Sequence, residues 1–314
     1  MNNKITLILS LLITCILFPV HAEEGDEWMI PPGRLIDLGG YRLHILCEGS
    51  GTGPAVILDS GIGGFSLEWT PVQRLLSRQV RVCAYDRAGY GWSDAGPSPR
   101  TTDHIVEELH ILLQEAGIPP PYILVGHSFG GYNMQYFAKV YPAETAGLVL
   151  VDSSHPEQSE RLPELPALRE KLKTKELITY YRGQLTFDMY PEDVRYKAMR
   201  ILSLRKMNQT YRRESINFTI SGQQVIDAGP LPEVPLVVIT RGKHVWPDDP
   251  YGEMLESIWQ QMQKEMVELS PEGIQIIAAN SGHLIQLEQP DVVVLGILTV
   301  LEAARHPGAA QLND

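Results

Sequence analysis

The sequence predicts an α/β fold, a mostly parallel eight-stranded sheet with helices on both faces and a helical insertion. Three observations lead there. Short runs with almost no polar residue recur along the chain, as expected of strands covered on both faces. Patterns with helical spacing fall between them. One run, Tyr122-Ile123-Leu124-Val125, leads into Gly126-His127-Ser128-Phe129-Gly130 and then into a helical pattern. Such a strand-to-helix turn brings backbones too close for a Cβ at either glycine and holds the serine between them exposed.

The elements follow in order. Arg34 to Leu38 and Tyr41 to Cys47 read as two strands joined by Gly39-Gly40, a two-residue hairpin signal. Further strands are expected at Ala55 to Leu58, Val80 to Tyr85, Tyr122 to Val125, Leu148 to Val151, Leu236 to Ile239 and Ile274 to Ala278. A helix starting at Thr102 or Asp103 places Ile105, Leu109, Leu112, Leu113 and Ala116 on one face and stops at Gly117. After the serine turn, Tyr132 to Tyr141 contains no Gly or Pro. A later helix carries Met254, Leu255, Ile258, Trp259, Met262, Met266 and Leu269 as a core-facing stripe, and the last runs from Pro290 to about Arg305.

One interval breaks the alternation. Residues 153–231 are polar, charged and helix-prone, with no convincing buried strand, so they are expected to form a helical cap between two core segments, 23–152 and 232–314. The cap should roof the site and select substrates. Tyr180, Tyr181, Leu185, Phe187, Met189 and Tyr190 would form its apolar underside, while its arginines and glutamates would face water.

Composition narrows the function. A formal charge of −12 argues against nucleic acid and against anionic lipid as partners. Residues 1–22 read as a signal peptide cleaved after Ala22: Lys4 is the only charge, an apolar core runs from Ile5 to Val20, and Val20-His21-Ala22 suits a cleavage site. A secreted or periplasmic location is therefore expected, with no stable membrane span after cleavage. No His/Cys/Asp cluster has metal-ligand spacing, and no cofactor is expected.

Three further motifs carry a resemblance. They are Asp86-Arg87-Ala88-Gly89-Tyr90-Gly91-Trp92-Ser93-Asp94, Leu58-Asp59-Ser60-Gly61-Ile62-Gly63-Gly64, and Ser281-Gly282-His283 followed by Glu288 and Pro290. With the serine turn, they make the chain resemble the α/β-hydrolase superfamily over essentially all of the mature sequence. The resemblance implies Ser128 as nucleophile, His283 as its base, and an oxyanion hole from the backbone N–H groups of Phe129 and Ile62. It implies a mainly architectural role for the loop that begins at Asp86. His127 is expected to point away from the reacting centre, and His155 and His244 read as polar loop residues.

The acid stays open at this stage. Most of the superfamily places it after the strand ending here at Ile239, where this chain reads Gly242-Lys243-His244-Val245; Asp248 and Asp249 lie just beyond. Some relatives use the end of the preceding strand, where Asp152 stands. Asp152 is favoured because the strand fixes it, with Asp248 the alternative. The superfamily strand order also makes Cys47 and Cys83 neighbours, either as a disulfide or as two small apolar residues.

The expected activity is cleavage of a small-molecule carboxylic ester or lactone through an acyl-enzyme. Amide hydrolysis, including a short-peptide aminopeptidase, and acyl transfer are the rivals on the same residues. A non-catalytic ligand-binding protein of the same fold is the rival of another class, disfavoured because Ser128 and His283 are both present.

Overall fold

The computed structural model describes residues 27–51, 53–162 and 186–305. The expected leader at residues 1–22, and Tyr180, Tyr181 and Leu185 of the insertion, lie outside the described residues. Eight strands form one sheet: β1 (Arg34–Asp37), β2 (Arg42–Glu48), β3 (Ala55–Asp59), β4 (Val82–Tyr85), β5 (Tyr122–His127), β6 (Thr145–Val151), β7 (Leu236–Arg241) and β8 (Ile274–Ala278). Their order is β1-β2-β4-β3-β5-β6-β7-β8. β1, β2 and β4 pair antiparallel, and every pairing from β4 to β8 is parallel.

All eight expected strands are present, with shifted ends. β4 begins at Val82 and not at Val80, because the N–H groups of Gln79 and Val80 both bond the Leu76 carbonyl and close the preceding helix. β7 runs two residues past Ile239, through Thr240 to Arg241. Gly39 and Gly40 have φ of +93° and +121°, and the Leu38 N–H reaches the Tyr41 carbonyl at 2.9 Å across the turn. That left-handed geometry is what the two glycines permit.

The central strands bury both faces, alternating residue by residue. Ile57, Leu124, Leu148, Leu150 and Val238 join one core with Leu109 and Leu112 of α2 (Thr102–Glu115), Met134 and Phe137 of α3 (Gly130–Val140), and Met266. Val56, Leu58, Ile123, Val125, Val149 and Ile239 join the other. There they meet Trp69, Val72 of α1 (Thr70–Leu76) and Val293, Ile297 and Val300 of the C-terminal helix Pro290–Arg305. The period of two is why these strands read as unbroken apolar runs.

Within 153–231 the regular elements of the described residues are all helical: α4 (Gln158–Arg161), a 3-10 turn, α5 (Glu192–Leu202), α6 (Arg205–Ile216) and α7 (Phe218–Asp227). Tyr190 is buried with Trp28, Phe65 and Trp92, whereas Phe187 is exposed. The next helix, α8 (Pro250–Val267), starts on Asp249, whose Oδ1 accepts the Gly252 N–H at 2.8 Å. Its stripe is narrower than expected: Leu255, Trp259, Met262 and Met266 are buried, but Met254 and Leu269 at its ends are exposed. α9 (Ile285–Glu288) and α10 (Pro290–Arg305) complete the chain. No helix among the described residues is long and apolar enough to cross a membrane.

Cys47 and Cys83 face each other across β2 and β4 and are joined by a disulfide. The open alternative closes on the bridge. It spans 36 positions, so replacing both cysteines by alanine is expected to lower the free energy of unfolding by about 2–4 kcal/mol, read from urea melts.

Candidate active site

The carboxyl ends of the parallel strands converge on one edge, and each delivers a polar residue there. Ser128 follows β5 at φ +52°, and Asp152 follows β6 at φ +39°. Among the described residues they are the two non-glycine positions in the left-handed region, a conformation that costs of order 1–3 kcal/mol and persists only where the surroundings enforce it. At Ser128 the enforcement is visible. A Cβ on Gly126 would lie 2.5 Å from the Gly130 carbonyl oxygen, and one on Gly130 would lie 2.5 Å from that of Asp59. The Ser128 N–H bonds the Val151 carbonyl at 3.2 Å, and its own carbonyl accepts from Gly131 and Ser154.

His283 stands in the loop after β8. Both Glu288 carboxylate oxygens accept the Gly282 N–H at 3.1 Å, and the Lys243 N–H holds the Ser281 carbonyl at 2.9 Å. This explains the glutamate five residues beyond the histidine. His283 Nδ1 lies 2.6 Å from Asp152 Oδ2. An ionised carboxylate only accepts, so Nδ1 carries the hydrogen and Nε2 of the neutral ring is left as a base. Ser128 Oγ makes no hydrogen bond among the described residues.

The structure brings Asp152, and not Asp248, to His283. Asp248 is exposed in the loop before α8, and its neighbour Asp249 serves as that helix's cap. Asp152 is fully buried. Burial alone would raise its pKa, but the Arg241 charge, the His283 hydrogen bond and the Trp259 indole overcome this and hold it well below the usual carboxylate range. Arg241 Nη1 reaches Oδ2 at 2.8 Å, while Trp259 Nε1 donates to Oδ1 at 2.9 Å.

Two backbone N–H groups beside the serine are unspent. Neither Ile62 nor Phe129 donates its N–H to any described residue. The Gly61 carbonyl accepts from Arg87 Nη2 at 2.8 Å, and the Ser60 carbonyl from Arg87 Nη1. In a planar trans peptide C=O and N–H point oppositely, so anchoring the Gly61 carbonyl on Arg87 turns the Ile62 N–H the other way. The Ile62 side chain packs beside Phe129 and Tyr132, an apolar surround.

Arg87 itself is held from the insertion. Its Nε and Nη2 donate to Glu214 of α6 at 2.9 and 3.0 Å, and Tyr90 donates to the same carboxylate at 2.8 Å. Glu214 is completely buried, which corrects the expectation that the insertion's acidic residues face water. A carboxylate can be buried there because a guanidinium and a phenol satisfy it. The loop that begins at Asp86 is architectural as expected, with Asp86 accepting from His44, Ser66 and Trp92.

His127 departs from its expected place. Its ring lies 4.6 Å from that of His283, and its Nε2 bonds the His283 carbonyl at 2.8 Å, while Gln286 Nε2 sits 3.2 Å from Nδ1. A backbone carbonyl needs a donor, so His127 is the neutral Nε2–H tautomer, and burial pushes its pKa down to about 3. A base whose folded pKa is depressed gives stability that is full above its unfolded pKa, about 6.5, and is lost on acidification towards 3. Buried Glu68, pushed up to about 8 by burial, contributes the opposite slope, with stability lost as pH rises from about 4.5. The measurement is therefore a difference: between pH 7 and 5, wild type should lose about 2 kcal/mol more than His127→Gln in urea unfolding.

Arg241, Trp259, Glu214 and His127 escape the sequence reading. Arg241 left one signal, a charge ending a strand that opens with four apolar residues. Trp259 reads as core because it sits on the buried stripe of α8, and nothing in that pattern reveals its indole N–H on Asp152. His155 is more than a loop residue: it is partly buried, and its carbonyl accepts the Tyr132 hydroxyl at 2.6 Å.

Comparison with known proteins agrees with this architecture. The chain is 26% identical to the uncharacterized protein YqjL of Bacillus subtilis over 284 residues, 90% of this chain and 96% of that one. It is also 32% identical to YbdG of the same organism, over 40% of this chain and only 39% of YbdG. Among solved structures, a thermophilic esterase from Thermogutta terrifontis superposes with a TM-score of 0.64 at 20% identity, covering 86% of this chain and 98% of the esterase. The enol-lactonase from Burkholderia xenovorans LB400 gives 0.64 at 19%, covering 86% and 100%. The model of the alpha/beta hydrolase family matches residues 56–294, which contain every site residue above. The chain belongs to the α/β-hydrolase family.

Proposed function

We propose that this protein is a secreted or periplasmic serine hydrolase that cleaves carboxylic esters or lactones through an acyl-enzyme. One observation carries the reading: buried Asp152, paired at 2.6 Å with partly buried His283, stands at the same sheet edge as a serine held at φ +52° beside two backbone N–H groups that are unspent among the described residues. Ser128 Oγ attacks the carbonyl carbon as His283 Nε2 takes its proton. The oxygen that gains charge is met by the N–H groups of Phe129 and Ile62. His283 returns the proton to the departing alkoxide, and water then repeats the sequence to free the acid and Ser128. Aspartate holds the imidazole in the required tautomer and offsets the imidazolium charge.

The location rests on the apolar N-terminal pattern and the Cys47–Cys83 bridge, which suits an oxidising compartment. The esterase and enol-lactonase among the structural neighbours place ester and lactone chemistry on this fold without assigning it to this chain. The test is a panel of p-nitrophenyl esters of increasing chain length together with simple lactones. Turnover that is abolished in Ser128→Ala supports the reading, and absence of turnover across the panel counts against it.

A further inference from the structure

Asp152 Oδ2 is shared. His283 Nδ1 approaches it at 2.6 Å and Arg241 Nη1 at 2.8 Å, while Arg241 Nη2 reaches Glu256 of α8 at 2.9 Å. Arg241 lies over the Trp259 ring, 4.6 Å from its centroid, and is 1% exposed. Four elements thus contribute one line of charges of alternating sign: Glu256 from α8, Arg241 from β7, Asp152 after β6, and His283 when it is protonated. Hydrogen bonds that need no cation already orient Asp152. Trp259 Nε1 and the Arg241 backbone N–H hold Oδ1, and the Asp152 N–H bonds the Ile239 carbonyl at 2.7 Å. What the guanidinium adds is charge, in a buried setting where charge is weakly screened.

We propose that Arg241 and Glu256 are positioning residues that set the proton affinity of His283 through Asp152, with opposite signs. Arg241 lessens the negative potential that Asp152 presents to the imidazole, and so weakens the carboxylate's stabilisation of the imidazolium. Glu256 neutralises part of Arg241 and restores some of that potential. The inference rests on the reading of His283 as the base. Other groups near the ring are unchanged by the test: His127 is neutral, and Lys243 lies 3.7 Å from Glu288, which holds the Gly282 N–H. Trp259 meets the ring edge-on at 5.9 Å and carries no charge.

The experiment follows the histidine resonances of the full-length protein by NMR across pH, with the His283 signal assigned by its absence from His283→Gln. The acid limb of kcat/KM on a p-nitrophenyl ester is recorded in parallel. Arg241→Gln should move the His283 titration and the acid limb up by about one unit, and Glu256→Gln should move both down by about half a unit. Arg241→Lys, which keeps the charge, should stay near wild type. A purely structural role predicts lower kcat with an unmoved limb. Shifts of the same sign in Arg241→Gln and Glu256→Gln, or none in either, overturn the proposal. If Arg241→Gln does not fold, Glu256→Gln decides alone, since its amide can still accept from Arg241: a downward shift supports the proposal, and no shift or an upward one refutes it. A wild type that turns over no ester defeats the hydrolase reading, yet the NMR titration still reads the charge line.

Discussion

Replacing Ser128 by alanine is expected to remove ester turnover by about 10⁶-fold while the fold persists. The size follows from concerted action: without the hydroxyl, the His283–Asp152 pair has nothing to activate, and only binding and the two N–H groups remain. The fold persists because the elbow is enforced by backbone contacts, such as the Ser128 N–H on the Val151 carbonyl, and not by Oγ, which has no hydrogen bond among the described residues. Melting temperature should hold or rise slightly, since a partly buried hydroxyl with no hydrogen-bond partner among the described residues is removed. Residual turnover within tenfold of wild type would remove Ser128 from the mechanism.

Asp152→Asn is expected to cost on the order of 10⁴ in rate, and Asp248→Asn almost nothing. An amide facing Nδ1 can donate as well as accept, so the imidazole loses its enforced tautomer and its counter-charge together. Here a second cost appears. Among the described residues Arg241 would keep only Glu256 as a charged partner in a buried setting, and breaking such a pair destabilises by roughly 3–5 kcal/mol. Rates must therefore be taken where circular dichroism shows the variant folded. Asp248 is exposed and makes no hydrogen bond or ion pair with His283 or Arg241 among the described residues, so a crippled Asp248→Asn with an active Asp152→Asn would reverse the assignment.

The strands were legible because burial on both faces leaves no polar position in a run such as Tyr122 to Val125. Ser128 and His283 were legible for a related reason: each sits in a turn whose geometry demands particular neighbours, Gly126 and Gly130 for one and Glu288 for the other. The acid was only half legible, because two aspartates met the pattern and only three-dimensional packing separates them. Arg241 could not be paired from sequence at all. Its partners lie 89 residues before it and 15 after it, and only the adjacency of β6 and β7 and the return of α8 bring the three together. Glu214 was misread for the same reason. A glutamate on a charged helix is ordinarily solvated, and its burial depends on Arg87, 127 residues away.

Covalent labelling reads Ser128 and His283 acting together. The protein is treated with a fluorophosphonate probe at neutral pH, and the adduct is located by peptide mass spectrometry in wild type, Ser128→Ala and His283→Gln. One adduct is expected, on Ser128, absent from Ser128→Ala and formed far more slowly in His283→Gln. An unlabelled wild type, or equal labelling of Ser128 with and without His283, would contradict it.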